Sequence, residues 1–425
     1  MLTESWTTLK YHEAQSRLWR TTKRFAAVPA GRGSGKTELA KRRLVRFLPV
    51  LKEWSDPKYF YAAPTERQAK RIAWQHFLAL IPKKWISDIN ISEHIIRTVF
   101  GSSLHIVGLD KPQRIEGDQW DGGVIDESSD VRPKAFDLSI LPALTWRNGW
   151  CWRIGVPKRQ GIGAAEYKAF FDRGVEGDPD IESVTWPSED IIPDEQLRMA
   201  RDNLDAKDYR EQFLACWETS GGGIFHAFDS DLNVRKCEYD SNAPLIIGSD
   251  FNVDPMCWVI AQEYSWGLEF IDELFLRDTN TQRALDVLFG RYEHHKGGFI
   301  FMGDATGRAR KTSASRSDYL IIHNDERFKE LGRKVKYFKA NPLIVNRFAS
   351  CNAMFCTAGG TRKVFIDPCC KYLKTDLESR YYKSDGREPA DSGDLGHCTD
   401  AMGYVIHGLF PIKPVTSAER KVSYA

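Results

Sequence analysis

The stretch VPAGRGSGKTELAKRR, residues 28–43, sets three glycines, a serine, a lysine and a threonine between an apolar run and a basic, helix-patterned one. Read as Ala30-x-x-x-x-Gly35-Lys36-Thr37, it is the phosphate-binding loop pattern with alanine where the first glycine belongs. Glycines let successive backbone N–H groups turn towards phosphate oxygens, and the helix that follows adds the partial positive charge of its N-terminus. Gly31, Arg32, Gly33, Ser34, Gly35, Lys36 and Thr37 are therefore the candidate nucleotide contacts, with Lys36 reaching the β/γ-phosphates and Thr37 a magnesium ion. The acidic pair in VIDES completes that chemistry: Asp126 would hold Mg2+ through water, and Glu127 would polarise the attacking water. Hydrolysis also needs positive charge at the γ-phosphate in the transition state. Arg32 in the loop and Arg114 in KPQRIEG are the candidates for that arginine.

A second set of acids lies far downstream. IIGSDFNVDP places Asp250 at the end of an apolar strand, FIFMGDATG does the same for Asp304, and DSGDLGHCTDAMGY puts Asp394, His397 and Asp400 at a helix start. Carboxylates from separate strands and a helix can converge on two Mg2+ or Mn2+ ions, which activate water and stabilise the leaving oxygen in phosphodiester hydrolysis. Hard cations take oxygen ligands, as aspartate provides. Asp250, Asp304, Asp400 and His397 are the candidate ligands, His397, at i−3 from Asp400, sharing its helical face. Glu273 in FIDELF is the candidate for a fourth carboxylate. Between Lys296 and Arg347 there are 12 basic residues against 5 acidic ones, with Tyr337 and Phe338 among them, a composition that could track a phosphate backbone.

These residues need two scaffolds. In the first half, short β-like runs (RFAAVPA, KYFYAA, SLHIVGL, GGVID, WCWRIGV) alternate with helical patterns, the order of a parallel sheet covered by helices. The second half reads as three meandering strands (PLIIGSD, MCWVIAQEY, GLEFIDELFL) followed by alternating helices and strands, the order of a ribonuclease-H-like domain. Two domains also suit a chain of 425 residues, which exceeds the size of a single growing core. We expect residues 1–217 to form the first domain, including a helical part over 188–217. Residues 218–240, with Gly221, Gly222 and Gly223, would be a linker, and 241–425 the second domain. At 42% hydrophobic and 28% charged residues the chain is not disordered, and no apolar run approaches a membrane span. The start MLTESWTTLK lacks the regions of a signal peptide, and nine cysteines without a C-x-x-C pair suit a reducing compartment, so a cytoplasmic location is expected.

With both sites placed, the chain resembles the large terminase subunit of tailed bacteriophages from about Gln15 to Tyr404. The likeness rests on GRGSGKT, YAAPTERQAKRIAW, VIDES, IGSDFNVDPM, FMGDATG and HCTDAMGY. It implies an N-terminal P-loop ATPase of the ASCE type joined to a C-terminal ribonuclease-H-like nuclease. ATP and Mg2+ would serve the first site and two Mg2+ or Mn2+ ions the second. The resemblance implies that Lys36, Thr37, Asp126 and Glu127 work in ATP hydrolysis, that Gln15 contacts adenine, and that Asp250, Asp304 and Asp400 bind the nuclease metals. It also implies double-stranded DNA, a portal protein and a small terminase subunit as partners, and a homo-oligomeric ring in the host cell cytoplasm. One departure stands out: Val156-Pro157 occupies the place where the family shows a Thr or Ser before proline as its coupling motif. A cellular repair helicase-nuclease would share the loop and the carboxylates, and differs in unwinding its duplex.

Overall fold

The computed structural model describes residues 12–218, 222–308, 317–328, 333–338, 340–383, 388–390 and 393–412. The chain divides into two units, residues 1–197 with 210–219 and residues 198–209 with 220–425.

The first unit runs α1 (Glu13–Arg20), β1 (Phe25–Pro29), α2 (Lys36–Phe47), β2 (Lys58–Ala63), α3 (Glu66–Leu80), β3 (Ile86–Asn90), β4 (Ile95–Thr98), β5 (Ser103–Gly108) and β6 (Gly122–Ile125). It continues through α4 (Leu141–Thr145), β7 (Trp150–Gly155), α5 (Ala164–Val175) and β8 (Ile181–Ser183). The eight strands lie in the order β3-β4-β5-β2-β6-β7-β1-β8, parallel from β5 to β8, with an antiparallel hairpin at the β3 edge. Central strands such as FAAVP and WCWRIG are buried on both faces, which is why they read as largely apolar runs, the exception being Arg153, which pairs with Glu166 at 3.1 Å. On one face Val28, Tyr61 and Trp152 pack with Leu39 and Leu44 of α2 and Phe77 of α3. On the other, Ala27, Phe60 and Cys151 pack with Tyr167 and Phe170 of α5. The strand order has one consequence for chemistry. Because β7 separates β1 from β6, the loop after β1, the turn after β7 and the acids after β6 meet in that sequence along the carboxyl edge of the sheet, where open α/β sheets bind ligands.

The segment read as a helical part of the first domain is instead shared. Of α6 (Asp194–Asn203) and α7 (Ala206–Gln212), residues 198–209 belong with the second unit. The linker reading is corrected as well. Ile224 and Phe225 are fully or almost fully buried in the second unit's core. In α8 (Ser230–Asn233), Asn233 donates to the carbonyls of Phe355 (3.1 Å) and Val364 (2.9 Å). The polar composition of this stretch hid two apolar anchors and one buried amide. Gly221 lies outside the described residues.

The second unit continues with β9 (Leu245–Asp250), β10 (Met256–Tyr264), β11 (Gly267–Leu276), α9 (Thr281–Arg291), β12 (Phe299–Gly303), α10 (Asp318–Asn324) and β13 (Arg333–Tyr337). Then come α11 (Ile344–Phe355), β14 (Val364–Ile366), α12 (Lys371–Ser379) and α13 (His397–Leu409). Its six strands are ordered β13-β12-β9-β10-β11-β14. The antiparallel meander β9-β10-β11 is extended by β12 and β13 in parallel on the β9 side, the ribonuclease-H-like arrangement, and β14 adds in parallel to β11. Helices α11 and α13 cover one face and α9 and α10 the other. Among the described residues no helix is long and apolar enough to cross a membrane.

One stability prediction follows from the first sheet. His105 on β5 meets Trp120 edge-on at 4.9 Å, and its Nε2 lies 2.9 Å from Ser103 Oγ. Burial pushes its imidazole down to about 4. The unfolded chain, with an ordinary value near ~6.5, takes up this proton first, so the contribution is complete above that pH and is lost as pH falls towards 4. The loss amounts to about 3–4 kcal/mol at ~1.4 kcal/mol per unit. In urea melts, the stability difference between wild type and His105→Gln should change across this window. A difference independent of pH would rule His105 out as the group.

Candidate active sites

At the carboxyl edge of the first sheet the chain leaves β1, turns through residues 31–35 and enters α2. Gly35 adopts φ 81°, a left-handed conformation that costs a residue with a Cβ about 1–2 kcal/mol. Gly31 is required for another reason. A Cβ there would stand 2.4 Å from Ser188 Oγ and 2.5 Å from the Phe213 carbonyl oxygen. The loop is pinned from behind: the Arg32 N–H donates to the Gln212 carbonyl (2.7 Å) and Ser188 Oγ to the Arg32 carbonyl (2.8 Å). Trp186 Nε1 (3.0 Å) and Gln15 Nε2 (3.1 Å) both donate to the Ser34 carbonyl. The side-chain amide of Gln15 is thus committed to the loop backbone. The first N–H groups of α2 have no acceptor within the helix and stay available to an anion. Lys36 is 7% exposed, and its Nζ donates to the Gly31 carbonyl at 3.2 Å. Burial pushes this ammonium down against the pull of Glu127 and Asp126. A buried cation whose hydrogen-bond partner among the described residues is a neutral carbonyl is well placed to exchange it for phosphate oxygen.

The acids close the other side. Asp126 Oδ2 accepts from Thr37 Oγ1 (3.0 Å) and from the Tyr61 hydroxyl (2.5 Å), while Oδ1 accepts from the Glu127 N–H (2.8 Å). Burial and then the Glu127 charge push the Asp126 carboxyl up. The buried carboxylate and adjacent hydroxyl form an oxygen donor set that fits a hard divalent cation, with Thr37 and Asp126 as its holders. Glu127 has φ 52°, rare for a residue with a side chain, a strain of the kind stored at functional sites. Its Oε2 accepts from Lys158 Nζ at 2.9 Å, and the same ammonium pairs with Asp130. Burial raises the Glu127 carboxyl, but the charges of Lys158 and Lys36 outweigh it and hold the group below its ordinary value.

Lys158, Asp130 and Tyr61 had escaped the sequence reading. Lys158 stands two residues beyond the end of WCWRIGV, after Pro157, yet only the strand order reveals that this strand ends between the loop and the acid pair. Of the two arginine candidates, Arg114 pairs with Glu66 with both side chains more than two-fifths exposed, so its visible task is a surface ion pair. Arg32 lies in the loop itself, and its charge bears on both Lys36 and Glu127.

In the second unit, Gly303 of β12 pairs in parallel with Ser249 of β9, so Asp304 and Asp250 leave neighbouring strand ends side by side. His397 Nδ1 lies 2.8 Å from Asp250 Oδ2. Burial pushes the Asp250 carboxyl up, His397 opposes this, and the charges of Asp400 and Asp304 raise it further. Burial likewise pushes the Tyr404 phenol up, and the charges of Asp304, Asp400 and Asp250 all act on it in the same direction. The three aspartates therefore occupy one locality. Asp304 is shaped by its own turn: Oδ2 accepts from Thr306 Oγ1 (2.5 Å) and Oδ1 from the Gly307 N–H (3.2 Å).

Asp400 faces two arginines. Arg380 Nη1 donates to Asp400 Oδ1 at 3.0 Å and Nη2 to Oδ2 at 3.4 Å, while Arg347 Nη1 stands 3.4 Å from Oδ1. Among the described residues, no three His, Cys, Asp or Glu side chains are gathered tightly enough to enclose a metal ion. The chemistry of Asp250 and Asp304 fits Mg2+ or Mn2+. Asp400 would join them by exchanging guanidinium for metal, charge for charge.

Other candidates are accounted for differently. Glu273 accepts from the N–H groups of Tyr372 and Leu373, both at 2.8 Å, and so caps α12. Asp394 pairs with Arg277 in an exposed position. From the basic window, Arg347 is turned inward onto Asp400, and the Phe338 ring packs with Tyr404 and His407 at 6.0 and 6.2 Å. Residues 309–316 of that window lie outside the described residues, and β13 holds Tyr337.

No protein-family model and no curated protein matches the sequence. Solved structures do match. The large terminase of a thermophilic bacteriophage superposes with a TM-score of 0.58 at 15% identity, over 94% of this chain and 99% of its own. The same protein in complex with ADP gives 0.56 at 15% identity, over 93% and 99% of the two chains. Its complex with ATP-gamma-S gives 0.56 at 15%, over 94% and 99%. From the loop after Phe25–Pro29 to the helix at His397–Leu409, the chain has the fold of a phage large terminase.

Proposed function

We propose that the chain is the large terminase subunit of a tailed bacteriophage. ATP hydrolysis in the first unit would drive double-stranded DNA into a procapsid, and the second unit would cut the DNA concatemer. The observation that carries this reading is the pairing of a P-loop and acid pair on one sheet with strand-end aspartates on a ribonuclease-H-like sheet, in a terminase fold along 94% of the chain. The related terminase bound to ADP and to ATP-gamma-S supports ATP as the nucleotide.

In the first site, residues 31–37 and Lys36 grip the β/γ-phosphates, and Arg32 adds positive charge on the same side. Glu127 polarises the attacking water and draws on its proton. Magnesium, held by Thr37 and Asp126, would supply the charge that offsets the phosphate oxygens. In the second site, Asp250 and Asp304 would hold the metals, His397 orients Asp250 through Nδ1, and Asp400 would complete the set. The bound Mg2+ or Mn2+ pair would supply an activated water and charge at the leaving oxygen. Portal protein, small terminase subunit and a ring of copies on the procapsid in the host cytoplasm complete the proposal.

The test is made on the purified full chain. It should hydrolyse ATP, faster with double-stranded DNA present, and cut plasmid with Mn2+ without releasing single strands from a labelled duplex. Strand release would favour a helicase-nuclease, and the absence of both ATP turnover and cutting would sink the proposal.

A further inference from the structure

We infer that Lys158 is the residue by which the first site tells a triphosphate from a diphosphate: its ammonium holds the Glu127 carboxylate until a γ-phosphate takes the ammonium over. This rests on reading that site as an ATPase. Position is the first argument. β7 is the strand between β1 and β6, so the residues that leave it stand between the phosphate loop and the acid pair. Val156 and Pro157, the first of these, offer no side-chain hydrogen-bonding group, and Lys158 is the next residue able to touch an anion.

Anchoring is the second argument. The backbone around Lys158 is tied on both sides. Ser129 Oγ donates to the Val156 carbonyl (2.6 Å) and accepts from the Lys158 N–H (3.3 Å), while Arg159 donates through its backbone N–H (3.0 Å) and Nη1 (2.9 Å) to Glu211 Oε2. What can move is the side chain, a four-carbon stem with its ammonium, which is 24% exposed. Charge is the third. Lys158 is shared between Glu127 and Asp130, both on the turn after β6, and its charge reaches Lys36 across the loop. A γ-phosphate gripped by Lys36 would enter the same field with more negative charge than either carboxylate. The ammonium would then pass to the phosphate, Asp130 would keep it within reach, and Glu127 would be left to the water. A diphosphate ends before that point and leaves the Lys158–Glu127 pair intact.

Equilibrium binding of ADP and of ATP-gamma-S to the full chain tests this, using wild type, Lys158→Met and Lys158→Arg. Methionine keeps the apolar stem, and arginine keeps the charge. Wild type should prefer ATP-gamma-S. Lys158→Met should lose about tenfold of that affinity and keep its ADP affinity within about twofold, as expected for one charge-assisted hydrogen bond removed at the γ position. Its KM for ATP should rise with the ATP-gamma-S dissociation constant, and Lys158→Arg should restore most of the preference. An unchanged ratio of the two affinities in Lys158→Met overturns the inference and leaves the ATPase reading standing. Equal weakening for both nucleotides also overturns it, since that is the mark of a merely structural lysine. Failure of wild type to bind either nucleotide is the separate result that removes the ATPase reading beneath it.

Discussion

Glu127→Gln should lower the ATP turnover number by about 10²–10⁴, the range for losing a positioned proton acceptor, while nucleotide affinity stays within about threefold. Glutamine matches the shape of glutamate and can still accept from Lys158 Nζ, so the 2.9 Å contact has a neutral replacement. The left-handed backbone at Glu127 is unaffected, since its φ of 52° is set by the turn into Ser128–Asp130 and not by the carboxylate. What disappears is the one acidic side chain of the pair that is not tied to Thr37 and Tyr61; those hydroxyls occupy Asp126. Single-turnover hydrolysis, with nucleotide binding measured in parallel, separates the two quantities. If Glu127→Gln hydrolyses ATP at the wild-type rate, Glu127 does not act on the water. If it loses nucleotide binding in step with turnover, its role is to hold the pocket together.

The sequence was most legible where local pattern and chemistry coincide. GRGSGKT needs a strand before it and a helix after it, and FAAVP and KTELAKRRLVRF supply both within a few residues. The meander PLIIGSD, MCWVIAQEY, GLEFIDELFL could be read because antiparallel neighbours are adjacent in sequence and the break falls at Ser265 to Gly267. The edge hairpin Ile86–Asn90 with Ile95–Thr98 was missed, since polar, half-exposed strands carry little apolar signal. Lys158 was missed for a topological reason: its meaning comes from strand order, which depends on pairings remote in sequence. Arg347 was misjudged for the reverse reason. Within a basic stretch, composition favours solvent-facing charge, yet Arg347 turns inward onto Asp400 beside Arg380 and is more than nine-tenths buried. Glu273 had the chemistry of a metal ligand and spends it on two helix N–H groups, a choice that only the placement of α12 decides.

Asp250→Asn should reduce Mn2+-dependent cutting of plasmid DNA by about 10³ or more and leave ATP turnover unchanged, because on the proposed reading the lost charge would hold a metal worth several kcal/mol to the transition state. Position 250 is preferable to 400 for this test. Asp400→Asn would leave the buried Arg347 and Arg380 side chains, 7% and 8% exposed, facing a neutral amide. Removing the charged partner of buried guanidiniums costs about 3–5 kcal/mol, so a lost activity there could reflect a damaged fold. At 250 the asparagine can still meet His397 Nδ1, now 2.8 Å from the carboxylate, and the side chain being replaced is 18% exposed. Its burial already opposes the charged form, so neutralising it should cost the fold little. The discriminating pair of measurements is cutting and thermal melting on the same preparation. Asp250→Asn that melts like wild type and no longer cuts places the reaction at the ends of β9 and β12. Asp250→Asn that melts like wild type and cuts normally removes the strand-end aspartates from the chemistry, leaving the P-loop as the chain's active site.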